Sequence, residues 1–408
     1  MTYMVIDLET NIKNKIGNNK GSSHCSDNNI VYVGLKREGV PTSIHHYEDN
    51  DIYKDIRHSG VSVSTYILVD LLVGHNIKFD LLYLLRYNLF LTQVFREVLI
   101  WDTALVEFLI TGQEHKFPSL DECSTKYGGT IKPNKIKELW DSGVDTDYID
   151  SDLMTEYLKG DIENTELVFQ KQFEHCKENG LLPLVWSQMS ALKATTMMEH
   201  NGMKIDTRKL LEYRHIKERE LADNISKCFT ILVHELYPTI YDSLSTGQIE
   251  QFTNINSPQF VSKVLFGGKC EYIDKIEDGV YKSGVKKGLT KYKSITSTVE
   301  FPALITLSRE DRNEWETTKK GIYKVGEEQL KTLLGIDYFL SINVKEFITA
   351  LLKNRELSKE VGTYIDGVAE LIYSEDSCVH GNLQHTVAVT GRLTSSNPNM
   401  QNFTNEGD

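Results

Sequence analysis

The sequence predicts an α/β domain, in which a mixed sheet is covered by helices, followed by a mainly helical region. Up to about residue 175, short β-rich runs alternate with helical stretches, and from about residue 181 the helical spacing continues with few strand signals. The chain has 408 residues, which favours two or three units with separate cores over one compact domain. We therefore predict a first domain at 1–180 and a second domain at 181–408.

Five β-rich runs define the sheet of the first domain. In chain order they are MVID, NIVYVGL, TSIHHY, YILVDLLVGHN and VLIWD. The Gly- and Asn-rich residues 16–23 predict a turn between the first two strands. Amphipathic stretches such as FDLLYLLRYNL lie between and after the runs, and this order is typical of a sheet that packs against helices.

The second domain is predicted to be mainly helical. Helical spacing is present in LLPLVWSQMSALKATTMMEHNG and at 207–237, and it resumes in VKEFITALLKNRELSKEVGTYIDGVAELIY. Between them, short Tyr-, Lys- and Thr-rich segments at about 268–325 predict hairpins or loops. This part contains a basic strip made of Tyr281, Lys282, Lys286, Lys287, Lys291, Tyr292 and Lys293. A solvated hairpin and a nucleic-acid contact both account for such a strip.

Composition and charge narrow the class of protein. With 58 acidic and 45 basic residues, the formal net charge is −13, which disfavours an anionic partner for the chain as a whole but not at a local basic strip. The six cysteines form no CxxC pair and no Cys/His spacing suited to zinc, so we expect a reducing cytoplasm. The sequence has neither a signal-peptide pattern nor an apolar segment as long as a membrane span. We expect neither secretion nor a membrane partner.

Two acidic motifs lie in the predicted α/β domain. Asp7 and Glu9 are two residues apart in a β run, so their carboxylates project from the same face of the strand. Asp80 ends the pattern NxxFD, which begins at Asn76, where a buried strand turns into a helix. Taken singly, the first motif is more often a solvated strand end and the second a helix cap.

A third motif places a phenol beside a carboxylate. Tyr157 and Asp161 are four residues apart in a segment with helical periodicity, so both side chains leave the same helical face. A surface helix would also account for this spacing. The three motifs DxE, NxxFD and YxxxD occur in this order at separations suited to one α/β domain, and the conjunction predicts a shared site.

VIDLET, HNIKFD and YLKGD resemble the three motifs of the DnaQ-like superfamily. The resemblance is to DEDD exonucleases with Tyr in the third motif, which are found in the proofreading domains of family A DNA polymerases. It implies a ribonuclease H-like mixed sheet flanked by helices. It also implies hydrolysis of the 3′-terminal phosphodiester of DNA with two divalent metal ions, Mg²⁺ or Mn²⁺.

The same resemblance assigns roles to individual residues. Asp7 bridges the two metal ions, and Glu9 and Asp161 complete the ligands of the first ion. Asp80 assists the second ion, partly through water, and Tyr157 orients the attacking water.

The nucleotide contacts of the family fall on Leu8, Thr10, His75, Asn76 and Phe79. For Asp102 and Thr103, which also resemble the family pattern, we expect a packing or capping role instead.

The C-terminal residues 380–402 resemble a conserved segment of family A DNA polymerases. This segment reads HGNLQHTVAVTGRLTSSNPNMQN, and upstream MMEHNGMKID, NSPQFVSKVLFGG and LLKNRELSKEVGTYID resemble the thumb of that family. The resemblance implies a thumb and the start of the palm at 181–408. The donors of Arg392, Asn399, Gln401 and Asn402 can reach phosphates and the minor groove of a primer-template. Arg355 and Lys359, four residues apart on a helix, can add phosphate contacts on one face.

The match stops before the palm and fingers motifs that perform nucleotidyl transfer, because only FTNEGD follows Asn402. We expect that the chain does not polymerise alone, and that it is either a fragment or one half of a split polymerase whose second polypeptide supplies palm and fingers. The chain begins directly at the exonuclease strand, which is similar to phage enzymes of this family and would place it in the cytoplasm of an infected bacterium.

We therefore expect a proofreading 3′–5′ exonuclease that acts on DNA as part of a family A polymerase. Two other functions remain open. A free-standing exoribonuclease related to RNase D shares the three motifs. The other alternative is a non-catalytic subunit that clamps DNA and positions primer-template for a partner polymerase.

Overall fold

The computed structural model describes residues 2–16, 19–47, 69–87, 92–130, 135–280, 282, 288–335 and 338–402. Contacts divide the chain into unit 1, Met1–Thr207 with Gly367–Asp408, and unit 2, Arg208–Asp366. This division differs from the predicted domains 1–180 and 181–408. The functional identities assigned to those two domains stay predictions.

Unit 1 is built on a mixed sheet, and its strands are β1 (Tyr3–Thr10), β4 (Ile30–Arg37), β5 (Ser43–His46), β6 (Leu71–Gly74) and β7 (Leu99–Asp102). Among the described residues, their order in the sheet is β5-β4-β1-β6-β7. The strands β4 and β5 run antiparallel to their neighbours, whereas β6 and β7 run parallel to β1 and to each other. All five predicted runs therefore contribute a strand, although residues 66–68 of the fourth run lie outside the described residues.

A short hairpin follows β1, formed by β2 (Lys15–Ile16) and β3 (Asn19–Lys20). The helices of the first part of unit 1 are α1 (Lys78–Arg86), α2 (Thr92–Glu97), α3 (Thr103–Ile110), α4 (Leu120–Tyr127), α5 (Lys135–Asp141), α6 (Ser151–Glu178) and α7 (Leu182–Asn201). A single 3₁₀ turn, Thr146–Tyr148, precedes α6. The mixed α/β architecture predicted from the sequence is thus present.

The helix α7 explains why unit 1 extends beyond residue 180. Its side chains Val185, Met189 and Leu192 are buried in the same hydrophobic core as β1, β6 and β7. Removing apolar surface from water is the main favourable term in folding, so α7 completes the core of the sheet rather than starting a new one.

The C-terminal part of the chain also belongs to unit 1. It contains α15 (Gly367–Ala369), β11 (Cys378–Val379), β12 (Asn382–Gln384), β13 (Thr394–Ser396) and the 3₁₀ turn Met400–Asn402. The strand β11 pairs antiparallel with β8 (Met203–Lys204), and β12 pairs with β13. Residues predicted to start the palm are therefore packed in the unit that carries the acidic motifs.

Unit 2 is mainly helical with one long hairpin, as predicted. Its elements are α8 (Thr207–Thr230), the π-helix Ile231–Leu236, α9 (Pro238–Tyr241), α10 (Thr246–Phe252), α11 (Pro258–Phe266), β9 (Gly268–Val280), β10 (Thr290–Phe301), α12 (Arg309–Trp315), α13 (Glu327–Leu333), α14 (Ile342–Lys359) and the π-helix Glu360–Asp366. A separate hydrophobic core includes Phe260, Phe301 and Phe347.

The basic strip predicted at 282–293, with Tyr281 beside it, is only partly within the described residues. Tyr281, Lys286 and Lys287 fall outside the described residues. On the described strands, Lys291 forms an ion pair with Asp278 at 2.8 Å, and Lys293 is exposed. Part of the positive charge of the strip is thus balanced by the partner strand.

Within the described ranges, none of the helices combines the length and the hydrophobicity that a bilayer crossing requires.

Candidate metal centre and nucleotide cleft

The central strand β1 carries the first two candidate ligands. Asp7 and Glu9 are half-buried, and Leu8 between them is buried in the core. This alternation is that of an extended strand, whose successive side chains leave opposite faces. Both carboxylates therefore lie on one face near the end of β1.

Asp80 reaches the same strand from α1. The chain leaves β6 through His75 and Asn76, and Asn76 has a φ of 55°, a left-handed conformation that Asn tolerates better than most residues. This turn leads into α1, where the Asp80 carboxylate is buried and its Oδ1 accepts a hydrogen bond from the Leu8 backbone N–H at 2.9 Å. The second motif is thus fastened to the first.

The helix α6 brings Tyr157 and Asp161 to the sheet. It approaches β4 closely at Gly34, where a Cβ would lie 2.9 Å from Ile162 and 3.1 Å from Leu158. Gly34 pairs with Asp7 across the β1–β4 ladder. The missing side chain of Gly34 therefore allows α6 to lie next to the strand that carries Asp7.

Three carboxylates converge at this place. The ligand oxygens of Asp7, Glu9 and Asp161 lie within 4.8 Å of one another. Asp80 is joined to the same strand by its bond to the Leu8 N–H, and its pKa is raised well above the ordinary value first by burial, then by the negative charge of Asp7, with a smaller effect of Glu9. Carboxylate oxygens are the ligands that Mg²⁺ and Mn²⁺ prefer, so the donor set fits hard divalent cations.

Tyr157 stands beside the carboxylates. Burial, followed by the negative charges of Glu9 and Asp7, raises the pKa of its phenol. The ring packs edge-on against Trp140, with centroids 5.6 Å apart and an interplanar angle of 88°. The hydroxyl therefore remains a proton donor at neutral pH, and the ring has a fixed neighbour.

A cleft of about 780 Å³ opens at Glu9. It is lined by Leu8, Glu9, Thr10, Ile12, Lys13, Asn14, Phe79, Trp140, Gly143, Val144, Asp145 and Thr146. This volume is in the range of small-molecule pockets. Four of these residues, Leu8, Glu9, Thr10 and Phe79, belong to the sequence motifs. The others, such as Lys13 and Trp140, belong to no motif that would predict them.

The predicted nucleotide contacts are placed unequally. Thr10 and Phe79 line the cleft at Glu9, while Asn76 is exposed and lines a second cleft of about 480 Å³. The ring of His75 is held by two contacts within unit 1. Its Nδ1 lies 2.8 Å from the Thr103 hydroxyl, and its Nε2 lies 3.0 Å from the carbonyl oxygen of Pro118.

Asp102 caps α3, as predicted. Its carboxylate accepts hydrogen bonds from the backbone N–H groups of Ala104 at 2.9 Å and Leu105 at 3.2 Å. It also accepts one from the N–H of Asn76 at 3.1 Å. The capping residue therefore helps to hold the turn that precedes Asp80.

The predicted DNA contacts in the C-terminal segment lie in unit 1. Arg392 and Asn399 are exposed. The side-chain amide of Gln401 donates to the carbonyl oxygen of Leu393 at 2.7 Å. The backbone N–H of Gln401 donates to Oδ1 of Asn399 at 3.1 Å. The side chain of Asn402 lies outside the described residues. Arg392 is thus the contact with the most freedom to reach a phosphate.

The two remaining predicted contacts lie on α14 in unit 2. Arg355 is half-buried and donates to the carbonyl oxygen of Val325. Lys359 is exposed, with its ammonium 5.6 Å from the ring centroid of Tyr364.

Residues 303–407 match the model of DNA polymerase family A. A DNA polymerase I of Synechocystis sp. is 26% identical over 367 residues, which cover 85% of this chain and 29% of the relative. A thermostable DNA polymerase I of Thermus aquaticus is 42% identical over 56 residues, 14% of this chain and 7% of the relative. The chain thus aligns with less than a third of the length of these curated relatives.

Among solved structures, the polymerase domain of Pol1 from M. smegmatis, in complex with DNA primer-template and dNTP, is similar to the chain. The TM-score is 0.57 at 14% sequence identity, covering 98% of this chain and 52% of the other. At this identity the likeness concerns the fold alone. By these matches the chain is similar to DNA polymerases of family A, in the family model over residues 303–407 and in the Synechocystis relative over most of its length.

Proposed function

We propose that unit 1 is a 3′–5′ exonuclease of the DEDD type that removes 3′ nucleotides from DNA, as the proofreading part of a family A polymerase. The observation that carries the proposal is the convergence of Asp7, Glu9 and Asp161 within 4.8 Å, with Asp80 fastened beside them. Carboxylates with no ion between them repel one another, so four in one place need a reason such as cation binding.

Each of these side chains has a role in the proposal. Asp7, Glu9 and Asp161 hold one divalent cation, and Asp80 with Asp7 contributes to a second. When bound, the cations supply the positive charge that activates water and stabilises the leaving 3′ oxygen. The phenol of Tyr157 stays protonated and orients the attacking water by hydrogen bonding.

The cleft at Glu9 suits the terminal nucleotide of a single strand. Phe79 and Trp140 offer aromatic surface on which a base can stack. Lys13 also lines the cleft, and its ammonium, paired with Asp147 at 2.7 Å, would have to exchange this carboxylate for a phosphate in order to bind DNA. Ile12 is 51% exposed in the cleft, which adds an uncovered apolar side chain for base or sugar.

The test is degradation of a labelled 3′ single strand in Mg²⁺. Asp7→Ala is expected to slow cleavage by roughly 100-fold or more, because the cation ligand is lost. A matched control is Glu163→Gln, which changes an exposed carboxylate on α6 two residues from Asp161 and should leave the rate unchanged. An Asp7→Ala variant as fast as the parent overturns the site assignment.

Comparison of DNA and RNA substrates separates the proposed enzyme from an RNase D-like one. A preference for RNA requires a contact with the 2′-hydroxyl. We expect DNA to be trimmed at least as fast as RNA of the same sequence, and markedly faster trimming of RNA would favour the exoribonuclease.

A second candidate function is the binding of primer-template DNA, favoured by the match of residues 303–407 to DNA polymerase family A. Arg392→Ala should weaken primer-template binding while leaving cleavage of short single strands intact, because Arg392 is exposed in the matched segment. Unchanged binding would count against this role. The expectation of a second polypeptide that supplies palm and fingers stays a prediction.

A further inference from the structure

A second cluster of metal-ligating side chains lies in unit 1, on the segment that contains β11. Asp376 lies in the turn before β11, where Ser377 has a φ of 58°, and Cys378 and His380 follow within and directly after the strand. Their ligand atoms, a carboxylate oxygen, a thiol sulfur and an imidazole nitrogen, lie within 4.8 Å of one another. Unlike the four-carboxylate cluster, this one offers sulfur and nitrogen.

The ring of His380 faces two hydrogen-bond acceptors. Its Nδ1 lies 2.7 Å from the carbonyl oxygen of Glu199, and its Nε2 lies 2.9 Å from Oδ2 of Asp376. A neutral imidazole carries one proton, so it satisfies only one of these acceptors. With the proton on Nδ1, bonded to Glu199, Nε2 is a lone-pair nitrogen that faces a carboxylate oxygen, and a cation between the two atoms would satisfy both. An Nδ1–H bonded to a backbone carbonyl is the arrangement that directs Nε2 towards a metal ion.

The surroundings of the cluster are built closely around it. Gly202 has a φ of 65°, and a Cβ there would lie 2.7 Å from Cε1 of His380 and 3.1 Å from Cβ of Cys378. The ring of His24 is stacked on that of His380, with centroids 3.5 Å apart and planes within 10°. Both rings are thus held in place, which lowers the entropy cost of binding a ligand.

Buried nitrogen atoms beside the cluster give an independent indication. Among the described residues, Nε2 of His24 and Nδ1 of His200 are buried without a hydrogen-bond partner. Most buried polar atoms have a partner, so each exception needs a cause. According to the tautomer of its ring, each nitrogen needs a donor or an acceptor, and a water molecule can serve as either.

We propose that Asp376, Cys378 and His380 bind one transition-metal ion of the zinc class, with water in the remaining position. Thiolate and imidazole ligands select such ions over Mg²⁺, whereas the carboxylate cluster of Asp7 selects the hard cations. The ion would fasten β11 to α7 through the hydrogen bond from His380 to Glu199. The proposal does not depend on the exonuclease activity.

Cobalt(II) is the probe, because a thiolate bound to it gives a charge-transfer band in the near ultraviolet. The full chain, freed of metal and titrated with Co²⁺, is expected to show this band at one equivalent. Cys378→Ser should abolish the band. Cys25→Ser is the matched control, since Cys25 is another buried thiol of unit 1 outside the cluster, and this variant should retain the band.

Two further variants test the two clusters of ligands separately. Asp376→Asn changes an exposed ligand and should weaken zinc binding at least about tenfold with an unaltered circular dichroism spectrum. Asp161→Asn, in the carboxylate cluster, should leave the band unchanged. The proposal is overturned if the parent gives no thiolate band, or if the band survives in Cys378→Ser. In those cases the contact between His380 and Asp376 is a hydrogen bond without a metal ion.

Discussion

The Asp80 carboxylate accepts a hydrogen bond from the backbone N–H of Leu8 at 2.9 Å. Leu8 lies between Asp7 and Glu9, so a single bond joins α1 to the strand that carries two other acidic side chains. Because Asp80 is 3% exposed, its negative charge is far from water and close to the charge of Asp7. The acidic centre is therefore electrostatically strained until a cation is bound.

The repulsion between the carboxylates of Asp80 and Asp7 should lower the stability of the metal-free protein. In chelator at neutral pH, Asp80→Asn should raise the melting temperature by about 2–4 °C, equivalent to roughly 1 kcal/mol for a unit of this size. Burial and the charge of Asp7 raise the pKa of Asp80, so the folded state binds more protons than the unfolded state and loses stability as the pH rises. The Asn side chain removes the charge and can still accept the Leu8 hydrogen bond.

The difference in melting temperature between the parent and Asp80→Asn should depend on pH. Below the ordinary pKa of Asp, about 3.9, parent and variant should differ little, and the advantage of the variant should grow as the pH rises above that value. Saturating Mg²⁺ should reverse the order, because the parent gains stability from both cations, whereas the variant has lost a ligand of the second. Asp223→Asn, an exposed change on α8, is the control. A variant that melts below the parent in chelator at neutral pH contradicts the prediction.

Tyr157→Phe should reduce the rate of cleavage by about 100-fold, because the phenol that orients water is lost. Its raised pKa keeps the hydroxyl protonated at neutral pH, so the group acts as a donor and not as a base. The ring contact with Trp140 and metal binding should both persist. The measurement is single-turnover cleavage together with Mn²⁺ binding.

Tyr148, which is 78% exposed, provides the control Tyr148→Phe, with no expected change. Equal rates for Tyr157→Phe and the parent would mean that the carboxylates alone position the water.

Gly34→Ala should destabilise the protein by roughly 1–3 kcal/mol, the usual cost of adding volume to a packed core. The new Cβ would lie 2.9 Å from Ile162, so α6 must move away from β4 and carry Asp161 with it. We therefore expect cleavage to fall together with stability, as measured by urea unfolding and by the nuclease assay.

Gly160→Ala is the opposite case on the same helix. A Cβ at Gly160 meets no atom within 4 Å, and Ala has a higher helix propensity than Gly by about 1 kcal/mol. Stability should rise with cleavage unchanged. If both substitutions had the same sign, close packing at Gly34 would not be what places α6.

The sheet strands and the acidic motifs could be predicted from the sequence because they depend on the spacing of nearby residues. Asp7 and Glu9 share a face because of the strand period, and Tyr157 and Asp161 because of the helix period. The return of residues 367–402 to unit 1 has no such pattern. It depends on two-residue strand pairing, such as Val379 with Met203, and on side-chain contacts that are remote in sequence.

The same limit applies to the metal-ligating residues near β11. Cys/His spacing predicted no zinc site, because the turn at Ser377, with a φ of 58°, brings the ligand atoms of Asp376, Cys378 and His380 together. The distance between sequence positions 24 and 380 hides the stacked rings altogether. Tertiary structure alone brings these groups together.

The last prediction concerns the ion pair between Lys78 and Glu199. Their charged atoms are 2.7 Å apart, and the side chains are 12% and 6% exposed. Both also bind Leu383, whose N–H donates to Glu199 and whose carbonyl oxygen accepts from Lys78. The pair thus fastens the C-terminal segment to α1, two residues from Asp80.

Removing one partner of a buried ion pair leaves the other charge buried and uncompensated. Lys78→Met should therefore lower the free energy of unfolding by about 3–5 kcal/mol. The double variant Lys78→Met/Glu199→Leu should lose less than the sum of its single changes, because no charge remains buried. Urea unfolding followed by tryptophan fluorescence measures this, since Trp101 lies in the core of unit 1. Lys331→Met, which breaks an exposed pair with Glu327, should change little. Additive losses would mean that Lys78 and Glu199 contribute independently, and that the C-terminal segment is held by its other contacts.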